Sequence, residues 1–213
     1  MVANPGISFD DYHCLADADL QPVRLVICKG MSGSGKTTAI EYLCREHPHL
    51  RDRCPRVFRL LEARCLIPPL QNELVVLDDV RFLRQLLPLP RLLRAGNTVL
   101  VASHLSAACF LPLRLFWTSR VFVMDRDEGK IERYLTRQRV AFSPRSVRKY
   151  CQVFGANYLD VDFILERRPG ASFDEALSHF LKSCRLELIP NLHSGNSPGR
   201  ETTPPNPTYN KHR

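Results

Sequence analysis

The sequence predicts an α/β protein, a three-layer α/β/α fold on a mainly parallel five-stranded sheet, and three observations predict it. Five short apolar runs, at 23–28, 57–61, 74–77, 98–102 and 120–124, have the length and β-branched character of buried strands. Helical segments separate them, which argues for parallel strands covered by helices. The first run also passes straight through a glycine-rich turn into a helix.

The elements follow in order. Run 23–28 (VRLVIC) precedes a helix over 36–45 with Ile40, Leu43 and Cys44 on one face, ended near Pro48. Run 57–61 is a second strand, and 74–77 (LVVL) a third, closed by Asp78 and Asp79. Segment 81–94 has helical spacing interrupted by Pro88 and Pro90, so a broken or kinked helix is expected. Gly96-Asn97 turns the chain into the fourth strand, 98–102 (TVLVA), which ends at Ser103-His104. Segment 105–116 reads as a helix bent at Pro112, 120–124 as the fifth strand, and 127–129 as a turn. The character changes after about Leu135. Ser143-Pro144 starts a helix that carries Val147, Tyr150, Cys151 and Phe154 on one face and closes at 155–157. A short helix over 160–166 is followed by a capping box, Ser172 with Glu175, before a last helix through Ala176, Leu177, Phe180 and Leu181. The expected organisation is an N-terminal extension (1–20), a core (21–136), a small C-terminal helical appendage (137–189) and a tail (190–213) with almost nothing to bury.

Composition narrows the class. Among 213 residues, 44% are hydrophobic, enough for a core, yet no run approaches the roughly 18–20 apolar residues of a membrane span. The acidic first residues lack the apolar stretch of a secretory signal, so a soluble cytoplasmic protein is expected. Eight scattered cysteines form no C-x-x-C pair and read as reduced structural thiols. The net charge of +8, mostly from arginine, suits an acidic partner such as nucleic acid, or reflects codon usage alone.

Gly30-Met31-Ser32-Gly33-Ser34-Gly35-Lys36-Thr37-Thr38 matches G-x-x-x-x-G-K-[ST], a P-loop, in the strand-then-helix setting that the motif requires. Glycines let successive N–H groups point inward as a nest for phosphate oxygens, and the helix start adds its positive end. Lys36 then reaches the β- and γ-phosphates, and the Thr37 hydroxyl ligates Mg²⁺. The site needs a carboxylate on the metal side from a neighbouring strand, and Asp78 supplies it. Asp79, one residue further, is placed to orient or deprotonate an attacking water, although hydrolytic P-loop proteins more often have Glu there.

These residues resemble the additional-strand class of P-loop ATPases, which includes AAA-type and ABC-type enzymes. The resemblance covers about 23–132. In that class a strand between the P-loop strand and the Asp-bearing strand ends in a polar residue aimed at the γ-phosphate. Run 98–104 (TVLVASH) is similar, and His104 resembles the switch histidine of ABC ATPases. Arg120 to Asp125, with Gly129-Lys130-Ile131, resembles the segment that follows. The departure is that only about forty residues separate the loop from Asp78, with no L-S-G-G-Q-like signature. A minimal ABC-like or AAA-like core is implied, without the signature-dependent sandwich dimer. ATP rather than GTP follows from the same resemblance, as no N-K-x-D occurs.

The functions to compare are an ATPase whose cycle switches a protein or nucleic-acid partner, a small-molecule kinase, and an ATP-binding scaffold without turnover. Arg137, Arg139, Arg145, Arg148 and Lys149 form a basic cluster that is a nucleic-acid contact, a solvated face, or the source of a sensor arginine from Arg145 or Arg148. A kinase would use Arg126, Arg133, Arg137 and Arg139 in a lid. A homo-oligomer would allow an arginine finger from Arg81, Arg91, Arg94 or Arg120.

Overall fold

The computed structural model describes residues 7–60 and 67–188. Five strands, β1 (Leu25–Lys29), β2 (Pro55–Arg59), β3 (Leu74–Val80), β4 (Thr98–Ser103) and β5 (Ser119–Val123), form one sheet in the order β2-β3-β4-β1-β5. Every pairing is parallel. The helices are α1 (Lys36–Glu46), α2 (Leu89–Arg94), α3 (Leu111–Phe116), α4 (Glu128–Arg137), α5 (Pro144–Phe154), α6 (Tyr158–Glu166) and α7 (Phe173–Leu188). Short 3₁₀ segments cover Phe9–Leu15, Leu83–Leu86 and Ala107–Phe110.

Successive strand residues face opposite sides of a sheet, so near-continuous apolar strands supply two cores. On one side Val26, Cys28, Val76, Leu100 and Ala102 pack with Ala39, Ile40 and Leu43 of α1. On the other, Leu25, Ile27, Val75, Leu77, Val99 and Val101 pack with Leu89, Leu92 and Leu93 of α2 and with Phe110 and Leu113. Helices therefore cover both faces of the sheet.

Two compact units divide the chain, Met1–Leu177 and Ser178–Arg213. The first contains the sheet, α1 to α6 and the start of α7. The described residues of the second continue α7. The N-terminal segment expected as an extension is packed into the first unit, with Tyr12, Leu15 and Leu20 buried in the α1-side core. The helices expected as an appendage begin in this unit as well: Ser143 caps α5 by accepting from Ser146 N–H at 3.3 Å. The Ser172–Glu175 capping box also forms.

Several local expectations change. Prolines occupy the first turn of both α2 and α3, where a missing N–H costs nothing. Pro112 therefore starts a helix instead of bending one. The expected turn at 127–129 is the start of α4, with Asp127 as its N-cap. Gly129-Lys130-Ile131, which resembled an ATPase segment after the fifth strand, is accordingly helical. β3 does not close at Leu77 but continues through both aspartates to Val80. The tail expected over 190–213 lies outside the described residues.

Candidate functional site

The glycine-rich loop leaves β1 and enters α1 at the carboxyl edge of the sheet, where ligands of open parallel sheets bind. Gly33 and Gly35 adopt φ of 77° and 83°, values that L side chains resist. A Cβ on Gly33 would meet Asn157 Oδ1 and Leu159, and one on Gly35 would meet the Tyr12 hydroxyl.

Three consecutive loop carbonyls are tied back by three different elements. Tyr158 N–H, at the start of α6, donates to Gly33 O at 3.0 Å. Lys130 Nζ of α4 donates to Ser34 O at 2.8 Å. The Tyr12 hydroxyl of the N-terminal segment donates to Gly35 O at 3.2 Å. In a trans peptide the carbonyl and the next N–H point in opposite directions. The Gly35 carbonyl also accepts the first bond of α1, from Ala39 N–H at 2.9 Å, so the Lys36 N–H points off the helix N-terminus and the Gly35 N–H points away from Lys130. Ser34 Oγ is buried with no hydrogen-bond partner among the described residues.

Lys36 and Thr37 stand on the first turn of α1. Lys36 Nζ donates to Met31 O at 2.6 Å, across the loop. Burial pulls its ammonium down to about 8, against the pull of Asp79, Asp78 and Asp125. Thr37 Oγ1 donates to Asp78 Oδ1 at 2.9 Å, joining α1 to β3. Asp78 is buried, and Arg59 Nε of β2 lies 3.8 Å from its other oxygen. β4 lies between β1 and β3, so His104 emerges between the loop and the aspartates. An open cleft of about 480 Å³ is lined by Gly30, Met31, Ser32, His104 and Asp125.

Asp79 is held differently from Asp78. The β3–β4 register slips between Leu77 and Val80, with Leu77 opposite Val101 and Val80 opposite Ser103. The extra residue is a β-bulge, which re-aims a side chain at the end of a strand. Asp79 takes φ 65° there. Its Oδ1 accepts from Arg81 Nε at 2.8 Å and lies 3.1 Å from His104 Nε2. Burial opposes its charge, but the bond and charge of Arg81, with His104, hold the carboxyl below its usual range. Burial, then Lys36, lowers the His104 imidazole.

Thus Gly30, Met31, Ser32, Gly33, Ser34, Gly35, Lys36, Thr37, Thr38, Asp78, Asp79 and His104 gather at one edge of the sheet. Of the arginines considered from sequence, Arg81 pairs with Asp79 and Arg148 lies 3.9 Å from Glu128. Arg133 and Arg137 pair with Asp11, at 2.9 and 2.5 Å. Sequence reading missed Tyr12, Asp11, Lys130, Asn157 and Tyr158. For Lys130 a signal existed, because Lys130, Ile131 and Tyr134 share one helical stripe. The others lie too far along the chain to be paired by spacing. Among the described residues no cluster of three or more His, Cys, Asp or Glu side chains could hold a metal ion, and no helix is long and apolar enough to cross a membrane.

No family model matches the chain, and no curated protein matches it. Among solved structures, a chain of the HORMA:CdnC:Trip13 complex of E. coli MS115-1 is similar at 14% identity. That match covers 80% of this chain and 78% of the other, with a TM-score of 0.44.

Proposed function

We propose that this chain is a magnesium-dependent ATP-binding protein of the P-loop class. In this reading it is an ATPase whose nucleotide cycle switches contacts with a protein or nucleic-acid partner. The observation that carries the reading is the Gly30–Thr38 loop with its carbonyls tied outward, while Thr37 faces Asp78 at 2.9 Å. The position of β4 between the loop strand and the Asp-bearing strand supports the additional-strand class. Asp78 and Thr37 suit Mg²⁺, which takes one or two protein oxygens and fills the remaining positions with phosphate and water. Bound there, the ion would neutralise phosphate charge.

The chain's own residues then divide the work. The inward N–H groups cradle the phosphates, and Lys36 exchanges its bond to Met31 O for the β- and γ-phosphates. Asp79, steadied by His104, accepts a proton from water as its oxygen attacks the γ-phosphorus and the bond to the β-phosphate oxygen breaks. Arg81 and His104 share Asp79 Oδ1, so the proton goes to the other carboxylate oxygen, Oδ2.

The pull of Arg81 and His104, which makes Asp79 a weaker base, favours a second reading, an ATP-binding scaffold that does not turn over. Phosphate release with Mg-ATP, beside Lys36→Ala and Asp79→Asn, separates the two. Each protein is tested alone and with DNA, RNA or small acceptors. Release by the wild type only supports the ATPase. Binding without release in any condition supports the scaffold, and phosphorylation of an acceptor replaces both with a kinase.

A further inference from the structure

Lys130 is 1% exposed and lies in α4, far in sequence from the glycine-rich loop. Its ammonium donates to Ser34 O at 2.8 Å and to Met124 O, and sits 5.2 Å from the centre of the Tyr158 ring. Among the described residues no carboxylate lies within ion-pair distance of it. A buried ammonium without a counter-ion is costly. Neutral donors perform the same bracing next door, since Tyr158 N–H holds Gly33 O and the Tyr12 hydroxyl holds Gly35 O. Bracing therefore does not explain why the donor at Ser34 is a cation.

We propose that Lys130 is a positioning cation of the phosphate site, acting on bound phosphate from behind the loop through the Ser34–Gly35 peptide. The proposal rests on the reading of Gly30–Thr38 as a phosphate cradle. The bond from Lys130 fixes the Ser34 carbonyl, and the trans peptide directs the Gly35 N–H the opposite way, into the cradle. A charged donor on the carbonyl also polarises that N–H, as hydrogen bonds in series reinforce each other. The phosphate in turn adds negative charge to that of Asp125, Asp127 and Asp11, none of which is within ion-pair distance of Lys130.

A brace and a positioning cation differ in their response to pH. Burial brings the Lys130 ammonium down to about 8 in the free protein. The groups that face it are Asp125 and Asp127 before α4, Cys151 of α5 and Asp11 of the N-terminal segment, all of which favour its charge. A bound anion stabilises the ammonium further and raises its pKa. Binding near pH 8 then takes up a proton. Lys36, held near 8 as well, adds uptake of its own, so the share of Lys130 is the part of the proton uptake near pH 8 that its substitution removes.

The test is calorimetric titration of the full chain with pyrophosphate, from about pH 7 to 9, in buffers of different ionisation enthalpy. Wild type, Lys130→Met and Lys36→Ala are compared after circular dichroism has established folding. Lys130→Met is expected to bind on the order of tenfold more weakly at pH 7 and to take up less proton than wild type at pH 8. If the methionine variant does not fold, Lys130→Gln, which keeps a neutral donor, carries the same expectation. Wild-type affinity and proton uptake in the neutral variant, with binding lost in Lys36→Ala, would overturn the role of Lys130 alone. Absence of pyrophosphate binding in the wild type would remove the phosphate-cradle reading and this inference with it.

Discussion

Asp79 stands in left-handed backbone inside a parallel strand, with φ 65°, where most side chains are strained. Aspartate and asparagine tolerate that region better than β-branched residues because a short polar side chain can bond locally. Backbone conformation and chemistry can therefore be separated at this position. Asp79→Asn should melt close to wild type, since its ion pair with the exposed Arg81 is screened by water. Its phosphate release should fall to the level of Lys36→Ala. Asp79→Val should lose release and also about 1–3 kcal/mol of stability, read as a lower melting temperature. Equal melting of the two variants would show that the bulge does not hold this residue in its left-handed state. Gly33→Ala attacks the loop from the other side. Its Cβ would press on Asn157 Oδ1 and Leu159 at φ 77°. Weaker ATP binding together with a loss of about 1–3 kcal/mol is expected, measured by titration and thermal melts.

Between elements, one buried carboxylate does most of the joining. The Asp11 side chain is fully buried and accepts from Arg133 and Arg137 of α4 and from the Tyr158 hydroxyl of α6 at 3.2 Å. Burial opposes its charge, yet the bonds and charges of Arg137 and Arg133 outweigh burial and keep its pKa below the usual value. A depressed folded-state pKa stabilises the protein above the unfolded value, near 3.9, and the stabilisation fades as pH falls through the folded value. Asp11→Asn should cost roughly 2 kcal/mol at pH 7, the scale of lost hydrogen bonds to a charged group. The gap in melting temperature between wild type and variant should close below about pH 4; a gap constant with pH would exclude the carboxylate as its source. This cluster was invisible in the sequence because its members are up to 147 positions apart. The strands were legible for the opposite reason. Runs such as 99–102 are apolar at every position, as a strand buried on both faces requires. The strand–loop–helix setting of 30–38 was legible as well, because it follows from local spacing, and the structure brings Asp78 to Thr37. The bulge at 78–79 was not, since it arises from pairing with β4 and has no local signature.

At the scale of the molecule, the carboxyl edge of the sheet is clasped by segments from both ends of the first unit. The N-terminal segment, α4 and α6 each hold one loop carbonyl, and Asp11 links the same three to one another. A ligand that fixes the loop therefore fixes the donors behind it, and opening of those segments should become rarer when the site is filled. If the loop binds Mg-ATP as proposed, saturation at about 100 times Kd should add about 2.7 kcal/mol to stability. For a chain of this size that corresponds to a rise of roughly 5–10 °C in melting temperature. The gain should also have a defined address. Hydrogen exchange with Mg-ATP should slow at Gly30–Thr38 and also at Phe9–Leu15, α4 and the first turn of α6. The edge strand β2 and helix α3, which hold no loop carbonyl, should exchange as before. Protection confined to Gly30–Thr38 would mean that the three bonds steady the loop without transmitting its occupancy. Protection that reaches the clasping segments would show that occupancy of the loop is transmitted to all three.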